Sequence, residues 1–354
     1  MEGSKKIILY RDPDGTLYQL DKLPSCLVDV TTVAKELGLP DYVDLAVPAI
    51  ERACVSIWAS FNASRILGSV MGGTGISTPV TPLLLGGAAV KMLCPVANKP
   101  FGPMERKVND LDFVVPKSEG SKFTKLLSLL SYVAGTRYHH FLTQGDRRFN
   151  AIRAGDRFRI HCVDWTLYCD PIVGWLDIFV GRIDMRHRIE IMEEFTEARR
   201  NIYTIGLEKM LMSKCQSIND IQAKDLGLVK ESAQEFRILG YRYYDPRRII
   251  LGLEEKDFLD VCALLHDHPP QEDGVNPTKL ASLLKRDEKF LLTFRLNLEN
   301  IVVRAEWLHD KRLTESQISR VSDAAGAILK ALPSVDKKWT KPWWNTSVDT
   351  PLVS

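Results

Sequence analysis

The spacing of apolar and polar positions changes character along this chain. Residues 7–20, IILYRDPDGTLYQL, alternate around an Asp-Pro-Asp-Gly sequence, which predicts two short strands joined by a turn. From Thr31 to Ser60 the spacing is helical, interrupted near Gly38 and Pro40. Gly68 to Pro82 carries four glycines and two prolines and predicts a loop. Leu83-Leu84-Leu85 predicts a short buried strand that stops at Gly86-Gly87, and Ala88 to Leu93 predicts a helix. A second strand is expected over 111–115, a helix from Ser121 to Ala134, and β-type alternation from Phe149 to Val180, with turns at Ala154-Gly155-Asp156 and near Pro171. Beyond Ile183 the period becomes helical, over 186–215, 228–239, 255–267, 277–307 and 314–332.

These periods predict an α+β chain: a mixed sheet with flanking helices, followed by a helical C-terminal domain. The expected divisions are an N-terminal hairpin and helical extension over 1–80, a sheet core over 81–185, a helical domain over 186–335, and a tail over 336–354. Trp339, Trp343 and Trp344 in or near that tail are expected to anchor packing.

Composition narrows the function classes only slightly. The 354 residues are 45% hydrophobic and 26% charged, as in ordinary globular proteins with a sizeable core. No run reaches the ~20 apolar residues that span a bilayer, and the N-terminus lacks the pattern of a cleaved leader. A cytoplasmic protein without a membrane partner is therefore expected. Seven scattered cysteines include no Cys-x-x-Cys pair, so neither a zinc site nor a disulfide framework is indicated. The net charge of +2 leaves nucleic-acid binding to local patches. One such patch runs from Arg137 to Arg159, where Arg147, Arg148, Arg153 and Arg157 are interleaved with Tyr138, Phe141, Phe149 and Phe158. Basic residues among aromatics suit single-stranded or loop RNA, and a solvated charged hairpin is the plainer alternative.

Candidate chemistry centres on TPLLLGGAAVKML and, after a basic linker, KVNDLDFVVP. A strand ending in Gly86-Gly87 lets backbone amides approach a ligand, and the helix that follows starts with amides that favour phosphate. Gly72-Gly73-Thr74-Gly75 is not a P-loop, because no Lys-Ser/Thr follows it. Asp110 and Asp112 are two residues apart at a strand entry, so both project to one face. Two carboxylates held together call for a cation, and Mg²⁺ completes such a site with water and phosphate oxygens. A third carboxylate stands in the apolar strand GWLDIFV as Asp177, with Asp164 as the second candidate. An acid buried there needs a metal, a hydrogen bond or an ion pair to offset its cost.

Gly86, Gly87, Asp110, Asp112 and Asp177, in this order, resemble the motif of the nucleotidyltransferase superfamily, which includes DNA polymerase β and CCA-adding enzymes. Within it the chain is most similar to the AbiEii-like toxin nucleotidyltransferases, whose acidic motif reads as Asp-Leu-Asp-Phe does here. That subgroup also carries a helical lysine followed by an aspartate, matched by Lys214 and Asp225. The resemblance covers roughly residues 80–230. It departs from the family in the spacing of 23 positions from Gly87 to Asp110, an interval whose CPVANKPFGPMERK segment is expected to form a substrate-facing loop. The Arg-Arg-Asp-Phe-Thr pattern of CCA-adding enzymes is matched poorly by Asp146-Arg147-Arg148-Phe149-Asn150.

The resemblance implies in-line attack of an acceptor hydroxyl on the α-phosphate of a nucleoside triphosphate. Asp110, Asp112 and Asp177 would hold two Mg²⁺ ions. Gly86 and Gly87 would seat phosphate, Lys214 would offset charge on it, and Asp225 would orient Lys214 or touch the nucleotide. The implied acceptor is an RNA 3′ end such as tRNA, in a toxin–antitoxin or phage-defence setting with a cognate antitoxin as a partner. Transfer to a protein or small molecule, and a non-catalytic binder, are the alternatives. His266-Asp267-His268, two histidines without further nearby ligands, is expected to be packing.

Overall fold

A computed structural model of the chain describes residues 7–11, 17–20, 49, 52–53, 55–57, 60, 80–99, 102–108, 110–131, 138–153, 155–164, 173–198, 203–216, 220–222, 248–250, 253, 255–271, 273–305 and 313–335. Contacts divide the chain into two units. The first comprises 1–92, 107–183 and 190–205, and the second 93–106, 184–189 and 206–354.

In the first unit, β1 (Ile7–Arg11) pairs antiparallel with β2 (Leu17–Leu20), the expected hairpin. The main sheet has five strands: β3 (Leu83–Leu85), β4 (Leu111–Val115), β5 (Tyr138–Phe141), β6 (Arg157–Asp164) and β7 (Val173–Val180). Their order is β3-β4-β7-β6-β5, with β4 and β7 parallel and the other pairs antiparallel. The free edge of β3 is covered where Leu84 exchanges backbone hydrogen bonds with Tyr203 and Ile205, which removes an open strand edge.

Alternation along the strands gives this sheet two unlike faces. One carries Leu84, Phe113, Ile178, Leu176, Ile160 and Cys162, all buried. Helix α3 (Gly120–Leu130) contributes Phe123, Leu126 and Leu127 to the core, with Phe123 edge-to-face on Phe113 at 5.4 Å between centroids. It begins at glycine because a β-carbon on Gly120 would stand 2.7 Å from both Phe158 and Val180. The opposite face carries the charged residues.

Helix α1 (Gly86–Leu93) follows β3 directly, as expected. The short α2 (Pro95–Asn98) lies in the second unit. The segment 144–152, part of which was expected to be strand, forms the helix α4 (Gln144–Ile152). The signal lies at its start: Thr143 and Asp146 cap each other's backbone amides in a capping box.

In 186–215 the structure departs from continuous helix. Arg188–Glu190 is a strand, α5 spans Met192–Ala198, and α6 spans Leu207–Lys214. The second unit continues with α7 (Glu255–Asp267), α8 (Pro277–Leu284), α9 (Glu288–Ala305) and α10 (Glu315–Ala331). The expected 277–307 helix is two helices, because the Asp287 carboxylate accepts from the amides of Lys289 and Phe290 and starts a new one. Phe258, Phe290, Phe294, Val321 and Ile328 fill its core. The chain is therefore α+β, with a mixed five-stranded sheet and a helical C-terminal part. Among the described residues, no helix is long and apolar enough to cross a membrane.

The described residues of 93–106 are anchored at three points. The Val96 amide donates to Asp267 (3.0 Å), Arg106 pairs with Asp260 (2.9 Å), and His268 Nε2 contacts the Leu93 carbonyl (3.0 Å), tying the segment to α7 and its C-terminal end. The same contacts account for His266-Asp267-His268 as packing, with His266 Nδ1 2.7 Å from Asp267.

Candidate functional site

The charged face of the sheet is organised in rows, because directly paired residues point the same way. The central row is Leu85, Asp112, Asp177 and Arg159, on β3, β4, β7 and β6. The parallel β4–β7 pair thus sets two acids from distant parts of the sequence side by side. Toward the C-terminal end of β6, the next row is Phe141, His161 and Trp175. Continuing the β4–β7 register one residue before Leu111 brings Asp110 beside Trp175. Arg157 pairs with Phe179 in the row on the other side.

Gly86 shows why the residue after β3 is glycine. Its φ is +73°, a left-handed conformation that side chains resist. A β-carbon there would stand 2.1 Å from Asp112 Oδ2, so the carboxylate lies in the space that glycine leaves open. Gly87 is buried in the first turn of α1. The two glycines and Asp112 are therefore one local arrangement, made by the antiparallel pairing of Leu85 with Asp112.

Asp177 is buried, and two arginines hold it. Arg157 Nη2 donates to Oδ2 at 2.7 Å, and Arg159 donates to Oδ1 from Nε at 3.0 Å and to Oδ2 from Nη2 at 3.3 Å. Both guanidiniums also stack on rings: Arg157 lies 4.5 Å from the Phe179 centroid, and Arg159 lies 4.6 Å from Phe149 and 5.6 Å from Trp175. Burial alone would lower the pKa of Arg159. The hydrogen bond and charge of Asp177, with the charges of Asp146 and Asp110, outweigh it and raise the value above the ordinary one. In this state an ion pair meets the electrostatic cost of burying Asp177. Asp110 and Asp112 are half-buried at the strand entry.

His161 is fixed in the same way. Its Nδ1 lies 2.6 Å from Asp146 Oδ2, the same oxygen that accepts from the Thr143 amide and hydroxyl. Neither residue is among the site residues that the sequence predicts. The Thr-x-x-Asp cap, followed by a β6 histidine on the Arg159 face, was the available signal.

Lys214 lies in the second unit, at the end of α6, and is buried. Its Nζ is 2.7 Å from Asp260 and 3.2 Å from Asp257. Burial lowers its pKa, but Asp260 and then Asp257 outweigh that and push it up, so the ammonium stays charged. Asp225 lies outside the described residues, as do Arg137 and the three tail tryptophans; Asp164 is the last residue of β6.

The fit for a metal rests on Asp110 and Asp112. Among the described residues, no three His, Cys, Asp or Glu side chains form a metal-ligating group. One or two carboxylates together with substrate phosphates are what Mg²⁺ ordinarily takes. Asp110 and Asp112, both half-buried, are the carboxylates that could serve in this way, with Asp112 at the glycine turn and the arginine-paired Asp177 next to it in register. No protein-family model matches the chain, and no curated protein matches it either.

Proposed function

We propose that the chain is a metal-dependent nucleotidyltransferase that moves a nucleotide from a nucleoside triphosphate to an RNA 3′ end. The observation that carries this is the contact of Asp112 with Gly86, next to Asp177 in the parallel register. It joins a glycine turn, a helix start and two strand acids from separate parts of the sequence in one place. The fold by itself does not fix the reaction, so the weight lies on these residues.

Asp110 and Asp112 would hold Mg²⁺, which when bound neutralises phosphate oxygens during transfer. Gly86 and Gly87 let the triphosphate approach the backbone where α1 begins, and the amides there favour the anion. Arg157 and Arg159 place two cations beside the carboxylates, where they can meet phosphate oxygens as well as Asp177. Holding the acceptor and the triphosphate in one orientation then supplies much of the acceleration. Lys214 takes no part in this proposal, since Asp257 and Asp260 engage its charge. The toxin or defence role, with an antitoxin as partner, follows only from the resemblance in sequence.

The test is incubation with each alpha-radiolabelled nucleoside triphosphate, Mg²⁺ and total tRNA, beside Asp110→Ala/Asp112→Ala. Labelled RNA is expected, and the double variant should reduce it by at least about 100-fold while melting as the parent does. Label on protein would move the acceptor to a side chain. No label anywhere would overturn the proposal in favour of a binding protein.

A further inference from the structure

The row next to the carboxylates is aromatic, and its two outer rings are exposed. Phe141, His161 and Trp175 stand in register on three adjacent strands, with ring centroids 6.0 Å apart from Phe141 to His161 and 6.1 Å apart from His161 to Trp175. Phe141 is 42% exposed and Trp175 is 41% exposed, which places them among the few large apolar side chains left in water among the described residues. The middle ring is held, because His161 is fixed through Asp146, whose carboxylate also forms the cap of α4. Arg159 leans on the Trp175 ring from the central row.

Such a row needs a reason to remain exposed. Burying Phe141 and Trp175 would favour folding, and nearby positions on the opposite face of the same strands are buried. A ligand for this row must offer flat, polarisable faces and negative charge. The flat faces match the three rings. The charge matches Arg147 and Arg148, exposed on α4, together with Arg159 at the edge of the row. Unpaired nucleobases joined by phosphates have both properties, whereas a duplex hides its base faces. Rows two residues apart on a sheet are separated by ~6.5 Å. A base seated on Trp175 would therefore lie about one nucleotide from the Asp112–Asp177 row.

We infer that Phe141, His161 and Trp175 form the stacking platform for the unpaired end of a nucleic-acid strand, the acceptor of the transfer proposed above, that transfer being the premise of the word acceptor. The platform itself is a binding surface and does not depend on the chemistry.

The experiment is fluorescence anisotropy of a short fluorescein-labelled single-stranded RNA with the full chain, without Mg²⁺ or nucleoside triphosphate. The single-stranded DNA of the same sequence and the RNA duplex are measured alongside. The single strand is expected to bind more tightly than the duplex, and equal binding of the DNA would assign recognition to the bases rather than the sugar. Trp175→Leu should weaken single-strand binding by roughly 5- to 100-fold, and Trp175→Phe should retain it within about threefold. Both variants keep apolar bulk, so packing alone does not separate them. Phe141→Leu should weaken binding in the same direction. Equal affinities for Trp175→Phe, Trp175→Leu and the parent, or binding no tighter than the duplex, would overturn the platform. Transfer activity with aromatic-independent binding would overturn the platform and spare the transferase proposal. Aromatic-dependent binding without any transfer would do the reverse.

Discussion

Asp177 in the first unit and Asp260 in the second are both buried acids, and each is held by two cations. Arg157 and Arg159 hold Asp177 at 2.7 and 3.0 Å; Lys214 and Arg106 hold Asp260 at 2.7 and 2.9 Å. The pairings are alike, and the settings differ. Asp260 is enclosed among helices, with Asp257 on the same helix as a second partner for Lys214. Asp177 sits on a strand whose neighbour in register is another acid, Asp112, and whose face continues into exposed rings. A buried ion pair is by itself weak evidence for either stability or function. What separates the two clusters is the company each keeps: a glycine turn and unlike charges at a partly open face in one case, helical packing in the other.

The largest stability effect is expected from the enclosed cluster. Lys214→Met leaves Asp260 and Asp257 with one fewer cation in a dry setting, and should lower the unfolding free energy by about 3–5 kcal/mol. Denaturant midpoints at constant slope would measure it. The pH dependence sharpens the assignment. The folded-state pKa of Lys214 is raised, so its contribution is complete below the ordinary lysine value and is lost as pH rises through the folded one. The parent should therefore lose stability on the alkaline side, and Lys214→Met should lose less over the same window. An unchanged midpoint in the variant would show that the pair is not structural and would return Lys214 to the candidate site.

Asp177→Asn comes next. Its removal leaves two arginines that are partly open to water, with side-chain exposures of 14% and 31%, so the penalty is screened. About 2 kcal/mol is expected, the range for hydrogen bonds to charged groups. The comparison predicts a second consequence absent from Lys214→Met. Radiolabel transfer should fall far more than the folded fraction does. Transfer that merely tracks the folded fraction would make Asp177 as purely structural as Asp260.

Elements whose pattern is local are legible in the sequence. The Leu83-Leu84-Leu85 strand, the 111–115 strand and the 255–267 helix stand where alternation or helical spacing put them. Helix α4 is masked by the β-like alternation that begins at Phe149, and its sign is the Thr143–Asp146 cap. The break at Asp287 is hidden because the apolar period runs through a cap whose partners are backbone amides. That Asp177 needs a partner is legible from its apolar strand, but which residues pair with it is not. Both arginines stood in view as a basic patch, but which strand they would face depends on the β6–β7 register, a non-local property. For Lys214, a helical position and a following aspartate gave no sign of Asp260, 46 positions away in the chain.

The smallest stability effect, and the most discriminating, belongs to Gly86→Ala. The left-handed backbone costs an alanine about 1–2 kcal/mol, and its β-carbon would press on the Asp112 carboxylate from 2.1 Å. That carboxylate is the end of a side chain and can swing aside, so the fold should survive. If Asp112 holds metal, its displacement should abolish transfer nearly as completely as Asp110→Ala/Asp112→Ala, with Mg²⁺ titration showing the weaker site. The Asp177 ion pair is untouched by the change, and so is the helical cluster. Transfer retained in Gly86→Ala would therefore mean that the Gly86–Asp112 contact is only a packing solution. The asymmetry between the two buried acids would then no longer point to chemistry.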